Sequence, residues 1–103
     1  PGSTLFPYTT IFRSKKMIKN KTVYLTFDVD GLDSSIMPAT GTPEPGGLFW
    51  DETLDIIKIA AKNSNIVGAD INELSPIKGF NSYNFLVAKL AYKILTYKFL
   101  YQS

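Results

Sequence analysis

Two short runs rich in β-branched and aromatic residues constrain the fold of this 103-residue chain more than any other feature. Residues 22–27 (TVYLTF) and 66–71 (IVGADI) are each short enough for a buried strand, and acidic and turn-forming residues close each run. Between them, residues 51–62 have apolar side chains at helical spacing, and residues 85–99 predict a second helix that is apolar on most sides. Strands that alternate with helices indicate βαβ units, so the predicted fold class is α/β with a parallel sheet.

Two loops connect these predicted elements. Residues 34–48 are rich in proline and glycine, and we expect Gly46 and Gly47 to shape this loop rather than to carry chemistry. Before the second helix, Asn81 or Ser82 is the predicted N-cap, because either side chain can accept a hydrogen bond from the first helical turn.

Residues 1–20 show no sustained hydrophobic period. The stretch up to Ser14 resembles the translated adapter sequence found at the start of many metagenomic reading frames. We therefore predict that residues 1–20 are a non-native or disordered segment and that the native chain is truncated upstream of about Met17. A native tail, disordered or forming a strand, is the alternative. Residues 21–103 form the second predicted unit.

The composition excludes several classes of function. Eleven basic and nine acidic residues give a net charge of +2 without a basic cluster, which argues against a nucleic-acid partner. The chain has no cysteine and hence no disulfide or thiolate metal site, which is compatible with the cytoplasmic location that we predict. The absence of histidine rules out a catalytic triad or an imidazole metal centre built from this chain alone. No apolar run approaches the roughly 18 residues of a membrane span.

Three aspartates, Asp28, Asp30 and Asp33, directly follow the first predicted strand. Carboxylates this close in sequence repel one another unless positive charge lies among them, and a divalent cation such as Mn²⁺, Mg²⁺ or Ca²⁺ suits oxygen ligands. Asp28 and Asp30 would point the same way in an extended backbone. The alternative is a solvated acidic turn in which Asp33 caps a helical turn.

Two other acidic motifs fit these residues less well. An EF-hand loop that began at Asp28 would need a glutamate where Ala39 stands. Phosphatases of the haloacid-dehalogenase type read D-x-D-G-T after a strand, with a nucleophilic first aspartate. Leu32 occupies the threonine position here, and no second acidic motif follows the next strand. The phosphatase interpretation therefore stays a distant second.

Residues 28–48 read DVDGLDSSIMPATGTPEPGGL, and residues 68–76 read GADINELSP. Together they resemble the C-terminal signature of the arginase/agmatinase family of ureohydrolases, whose pattern is roughly D-x-D-x-x-D-P, then P-G/A-T-G-T-P-x-x-G-G-L, then D-x-x-E-x-x-P. The resemblance covers about residues 21–100, and PEPGGL and NELSP favour the agmatinase side. Ser34 replaces the usual proline. The resemblance implies that residues 21–103 are the C-terminal part of a ureohydrolase domain with the three-layer arginase/deacetylase-like fold.

The resemblance also assigns roles to five residues. Asp28 matches the carboxylate that bridges two Mn²⁺ ions, and Asp30 matches a ligand of one ion. Asp33 matches a third acid that acts behind these ligands. Glu73 matches the glutamate that pairs with the substrate guanidinium group, and Thr42 matches a threonine that lines the pocket beside it. Taken alone, Glu73 reads equally well as an exposed acid after a strand.

These roles imply a site that hydrolyses a guanidino compound. The parent enzyme would use two Mn²⁺ ions to release urea, with agmatine as the favoured substrate, putrescine as the product amine and polyamine biosynthesis as the context. Arginine and guanidinobutyrate are alternative substrates, and a non-catalytic remnant of the fold is the alternative from another class. The resemblance implies a trimer or hexamer of the full-length parent. Histidine ligands would lie upstream, so we predict that this chain alone is inactive.

Overall fold

The structure is a computed structural model that describes Arg13 and residues 15–102. Strands β1 and β2 pair in parallel as direct neighbours, which confirms the predicted α/β class with parallel strands. The elements run in the order β1 (Thr22–Asp28), a 3-10 turn (Val29–Gly31), α1 (Trp50–Asn63), β2 (Asn65–Asn72) and α2 (Asn81–Tyr101).

The observed element boundaries differ from the predicted ones mainly at the start of α2. Both strands and α1 extend the predicted ranges by one residue at one or both ends. Helix α2 begins at Asn81, four residues before the predicted start, and its N-cap position is Phe80, which makes no side-chain capping bond. The predicted N-cap at Asn81 or Ser82 is therefore wrong. Tyr83 packs against a buried cluster, and this tertiary contact extends the helix beyond its apolar period.

One face of the sheet is covered by both helices. The buried cluster there joins side chains of α1, β2 and α2, and alternate β1 residues pack against it. The opposite face of the sheet stays exposed, as the exposed side chain of Tyr24 shows. The members of the cluster are Ile57, Ala61, Ile66, Leu90, Ile94 and Tyr97.

A second buried cluster lies beneath the loop that follows β1. Val29, Leu32, Met37 and Ala39 are fully buried there, and residues from the start of α2 pack against them. The acidic turn and the long loop therefore have a hydrophobic core of their own. Burial of this kind holds irregular backbone in one conformation.

The side chain of Gln102 joins three separate elements. Its amide nitrogen donates to the carbonyl oxygens of Ala61 at 2.9 Å and Ser64 at 2.7 Å. Its amide oxygen accepts from the backbone N–H of Ile66 at 3.0 Å and from Lys98 Nζ at 3.1 Å. These bonds satisfy backbone groups at the end of α1 and the start of β2 that neither element satisfies internally.

The long loop between β1 and α1 returns to the acidic turn at Gly46 and Gly47. Gly46 has a φ of +81°, and a Cβ atom on Gly47 would lie 2.6 Å from the backbone nitrogen of Asp33. The backbone nitrogen of Leu48 donates to the carbonyl oxygen of Gly31 at 2.9 Å, and that of Asp33 donates to the carbonyl oxygen of Leu48 at 2.8 Å. Such a close approach requires glycine, and it confirms the structural role predicted for this pair.

Most of the predicted N-terminal segment, residues 1–20, lies outside the described residues. Within residues 15–20, positions 15–18 form a helical turn, and the backbone nitrogen of Asn20 donates to the carbonyl oxygen of Asn63 at 2.7 Å. The proposal that this segment is non-native or disordered stays a prediction. None of the helices among the described residues has the length and hydropathy needed to cross a membrane.

Replacement of Gly47 by alanine should destabilise the chain by about 1–3 kcal/mol, because the added Cβ atom would overlap backbone atoms of the acidic turn. The matched control is Gly41→Ala, since a Cβ atom there meets nothing within 4 Å. We expect the control to stay within about 0.5 kcal/mol of the unaltered chain. Urea denaturation followed by circular dichroism measures both values, and equal stability of the two variants would contradict the proposed close approach.

Candidate functional site

The C-terminal ends of β1 and β2 meet at one edge of the sheet. In the parallel register, Asp28 is the partner of Asn72, and Glu73 follows at once. The two strands therefore bring the acidic turn after β1 next to the residues after β2. In α/β proteins this edge is where ligands bind.

The backbone between Asp28 and Asp30 is not extended but turns, and a hydrogen bond joins the two residues. The strand ends at Asp28, and its Oδ1 atom accepts from the backbone nitrogen of Asp30 at 3.0 Å, which caps the 3-10 turn Val29–Gly31. The expectation that the two side chains point the same way in an extended backbone is therefore wrong, because the extended backbone ends at Asp28. Asp28 is exposed and Asp30 is half-buried.

Thr42 reaches back from the long loop to the acidic turn. Its Oγ1 atom donates to Oδ2 of Asp30 at 2.8 Å, and its backbone nitrogen donates to Oγ1 of Thr40 at 3.2 Å. The structure thus brings Thr42 to a predicted metal ligand. Its predicted place beside Glu73 stays a prediction.

Asp33 is the buried member of the acidic triplet, with a relative exposure of 8%. Its carboxylate accepts hydrogen bonds from the hydroxyl and the backbone nitrogen of Ser35, and from the backbone nitrogens of Gly46 at 2.7 Å and Gly47 at 3.1 Å. These donors lower the pKa of the Asp33 carboxyl group, with the hydroxyl of Ser35 as the largest cause. Asp33 therefore ties the two ends of the loop together. It also caps the turn that follows it, as predicted, because its carboxylate accepts from the backbone nitrogen of Ser35 and its carbonyl oxygen accepts from those of Ile36 and Met37, both at 3.0 Å.

Glu73, the residue directly after β2, has an unusual backbone conformation. Its φ is +75°, in the left-handed region that few residues other than glycine and asparagine adopt, and its side chain is exposed. Strain of this kind persists where the surrounding structure holds the residue in place, and such residues cluster at functional sites. Leu74, the next residue, packs against the second buried cluster and helps to hold this turn.

The oxygen atoms at this edge suit a cation but do not enclose one. In the part of the chain that the structure describes, Asp28 and Asp30 each use one carboxylate oxygen in a hydrogen bond and keep the other available. Across residues 13 and 15–102, no three histidine, cysteine or acidic side chains lie close enough together to hold a metal ion. The arrangement can therefore contribute two oxygen ligands and, from Glu73, a carboxylate for a cationic substrate.

Thr40 and Asn72 are two polar residues near the site that the sequence did not single out. The hydroxyl of Thr40 supports Thr42, as described above, and the amide of Asn72 donates to a carboxylate oxygen of Asp70. Asn72 also stands opposite Asp28 in the sheet. Both residues lie inside the two motifs, but only the fold shows which polar groups they support.

Replacement of Asp33 by asparagine should lower the urea midpoint of unfolding at pH 7, because an amide nitrogen cannot accept the bonds from Ser35. The pKa of Asp33 is lowered from its ordinary value of 3.8, so its stabilising effect is complete above pH 3.8 and is lost as the pH falls through the folded-state value. The difference between the variant and the unaltered chain should therefore shrink below pH 3.8. Asp55→Asn, an exposed acid on α1, is the control and should show no such difference. A pH-independent gap for Asp33→Asn would contradict this account.

Comparison with known proteins places these features in one family. A model of the arginase family matches residues 8–96. The N(1)-aminopropylagmatine ureohydrolase of Synechocystis sp. is 44% identical over 80 residues, which are 78% of this chain and 26% of that protein. The agmatinase of Chromobacterium violaceum is 49% identical over 67 residues, which are 65% of this chain and 20% of that protein.

Similarity of structure agrees with similarity of sequence. A crystal structure of a hypothetical agmatinase from Burkholderia thailandensis aligns with a TM-score of 0.76 at 31% identity, over 89% of this chain and 29% of that one. The chain thus spans about a quarter of the length of the relatives that it matches. Because the family match covers most of its residues, the chain belongs to the arginase family.

Proposed function

We propose that the complete protein hydrolyses a guanidino compound to urea and an amine, with agmatine as the substrate and putrescine as the amine. The observation that carries this proposal is the position of Glu73. It follows β2 at the same sheet edge where the neighbouring β1 ends at Asp28 and Asp30 follows. Such a hydrolysis needs oxygen ligands for a metal ion and a carboxylate that binds the cationic guanidinium group. The agmatinase and aminopropylagmatine ureohydrolase relatives support the same reaction class.

Asp28 and Asp30 are the residues that would hold Mn²⁺. Both offer carboxylate oxygen, the donor type that Mn²⁺ accepts, and each keeps one oxygen outside the hydrogen bonds of the described residues. The chain has no histidine, and no third acidic side chain of the described residues lies close enough to complete a site, so we expect further ligands from outside these residues. When bound, Mn²⁺ acidifies water and so supplies a nucleophile for the guanidinium carbon at neutral pH.

Glu73 and Thr42 position the substrate and the ligand carboxylate. The two oxygens of Glu73 accept parallel N–H bonds from a planar guanidinium group, which fixes the carbon for attack. Thr42 donates to one oxygen of Asp30 and thereby orients the other oxygen. Asp33 touches neither substrate nor metal in this scheme, because its carboxylate is bonded within the loop.

N(1)-aminopropylagmatine is a second candidate substrate. The Synechocystis relative, at 44% identity, has this compound in its name. Both substrates carry the same guanidinium group, so Glu73 serves either of them. Assays of the complete protein with both compounds, arginine and guanidinobutyrate separate these substrates, and absence of urea release from all four would favour a non-catalytic remnant. The cytoplasmic location and the trimeric or hexameric assembly stay predictions.

The roles of Asp28 and Glu73 can be separated in a chimera in which this chain replaces the matching portion of the Synechocystis relative. We expect Asp28→Asn to lower the Mn²⁺ content together with activity, because it removes a ligand. Glu73→Gln should retain the metal and lose a charge-assisted hydrogen bond to the guanidinium group, which contributes about 1.5–3 kcal/mol. We therefore expect kcat/KM to fall by roughly 10- to 150-fold. Metal analysis and urea-release kinetics measure both effects.

Asp55→Asn is the control for both changes in the chimera, since this exposed helical acid lies away from the sheet edge and should leave metal content and kinetics unchanged. The assignment would be wrong if Glu73→Gln lost the metal while Asp28→Asn retained it.

The chain by itself should bind Mn²⁺ weakly and release no urea from agmatine. Two aspartates leave each ion short of ligands, and divalent affinity follows the charge and number of ligands. Urea release by the purified chain with added Mn²⁺, compared with Mn²⁺ and agmatine alone, tests this expectation. Release above that background would contradict it.

A further inference from the structure

Three hydrogen bonds connect the residues after β2 with the acidic turn after β1. The backbone nitrogen of Ser75 donates to the carbonyl oxygen of Ala39 at 2.8 Å. The hydroxyl of Thr40 accepts from the backbone nitrogen of Thr42 at 3.2 Å. The hydroxyl of Thr42 then donates to the carboxylate of Asp30 at 2.8 Å. This part of the long loop therefore joins the two strand ends that carry the candidate site.

The surroundings of Thr40 fix its position. Its relative exposure is 9%, and the neighbouring Ala39 is fully buried in the second cluster. The backbone nitrogen of Thr40 donates to the carbonyl oxygen of Pro38 at 2.9 Å. Leu74, the residue after Glu73, packs against the same cluster. Thr40 is thus anchored to the same buried side chains as the turn that carries Glu73.

Thr42, in contrast, is exposed, so burial does not determine where its hydroxyl lies. Two local restraints act on it instead. Pro43 restricts the residue before it to an extended backbone. The hydroxyl of Thr40 holds the backbone nitrogen of Thr42 in a turn of the kind that threonine side chains form. Loss of the Thr40 hydroxyl would therefore release Thr42 from one of its two restraints.

We propose that Thr40 is a positioning residue of the hydrolase site, whose hydroxyl holds Thr42 where it orients the Asp30 carboxylate as a metal ligand. This role rests on the proposed function, in which Asp30 binds Mn²⁺. Thr40 acts through Thr42 and contacts neither the metal ion nor the substrate. Groups that orient a ligand from behind affect metal affinity strongly. All of these hydrogen bonds lie within the chain, so none requires a surface that the rest of the complete protein would cover.

The test compares Thr40→Val with Thr40→Ser in the chimera with the Synechocystis relative. Valine keeps the branched shape and removes the hydroxyl, whereas serine keeps the hydroxyl and removes a methyl group. We expect Thr40→Val to weaken Mn²⁺ binding about three- to tenfold, as for the loss of one hydrogen bond, and Thr40→Ser to stay within about twofold. Competition with a fluorescent chelator measures the Kd of Mn²⁺.

Stability should change in the opposite order. Thr40→Ser leaves a space at a buried position, so it should lower the urea midpoint of the full chain more than Thr40→Val does. Water can bond the backbone nitrogen of Thr42 that valine leaves without a partner, because Thr42 is exposed. If Thr40 served only to pack the loop, serine would weaken Mn²⁺ binding more than valine, and that result would overturn the proposal.

A double variant shows whether Thr40 acts through Thr42. Thr42→Val removes the hydroxyl that bonds to Asp30 and should weaken Mn²⁺ binding about tenfold or more. In that background, Thr40→Val should change the Kd by less than about twofold, because the bond that it supports is already gone. Losses that multiply would overturn the proposal. The matched control is Thr53→Val, which removes a buried hydroxyl that bonds to Phe49 within α1, and it should leave the Kd of Mn²⁺ unchanged.

Two further results separate the role of Thr40 from the proposed function. If Thr40→Val and the unaltered chimera bind Mn²⁺ equally tightly and both release urea, the role of Thr40 is wrong and the proposed function stands. If the unaltered chimera binds no Mn²⁺, the metal role of Asp28 and Asp30 is wrong, and the role of Thr40 with it. Circular dichroism checks that each variant keeps its fold.

Discussion

The parallel pairing of β1 and β2 is the constraint on which the rest of this structure depends. Parallel strands cannot be joined by a tight turn, so the chain has to travel through the long loop and α1 before it returns as β2. The register then sets Asp28 opposite Asn72 and brings Glu73 to the edge where the acidic turn begins. At that edge Asp28 and Glu73 are exposed and Asp30 is half-buried.

The three aspartates at the end of β1 and after it differ in their hydrogen-bond partners and burial, although their side chains are identical. Asp33 is surrounded by donors from Ser35 and the two loop glycines, and all of its hydrogen-bonding capacity is used to hold the loop. Asp28 and Asp30 stay nearer to solvent and keep oxygens free for a cation. A loop that depended on a metal ligand for its shape would change whenever the ion left, whereas here a separate acid fixes the loop.

Much of the fold follows from local sequence because the signals there are local. The β-branched runs and the apolar spacing of α1 depend on neighbouring residues, and the observed elements match them within a residue. The start of α2 and an irregularity in the sheet near Val67, which has no partner in β1, depend on contacts between distant segments. The same holds for the side-chain bonds of Gln102, because a lone amide in the sequence carries no sign of its partners.

In the candidate site, too, the features that depend on local sequence were predictable and those that depend on distant contacts were not. Asp28, Asp30 and Glu73 stand out because motifs place them directly after strands, and strand order determines their shared edge. The contact between Thr42 and Asp30 was beyond sequence reasoning, since it depends on how a proline- and glycine-rich loop folds back over the acidic turn. The placement of these acids at one sheet edge was thus predictable from the sequence, whereas the hydrogen bonds that the folded loop makes to them were not.

The left-handed backbone of Glu73 has a consequence for how this domain changes over evolutionary time. Glycine or asparagine adopts this conformation with less strain, so either residue would remove a local cost from the folded state. Under the role proposed for Glu73, the need for a carboxylate that binds the guanidinium group opposes this replacement. A descendant of the domain without that role could exchange Glu73 without damage to its buried clusters, because the side chain is exposed.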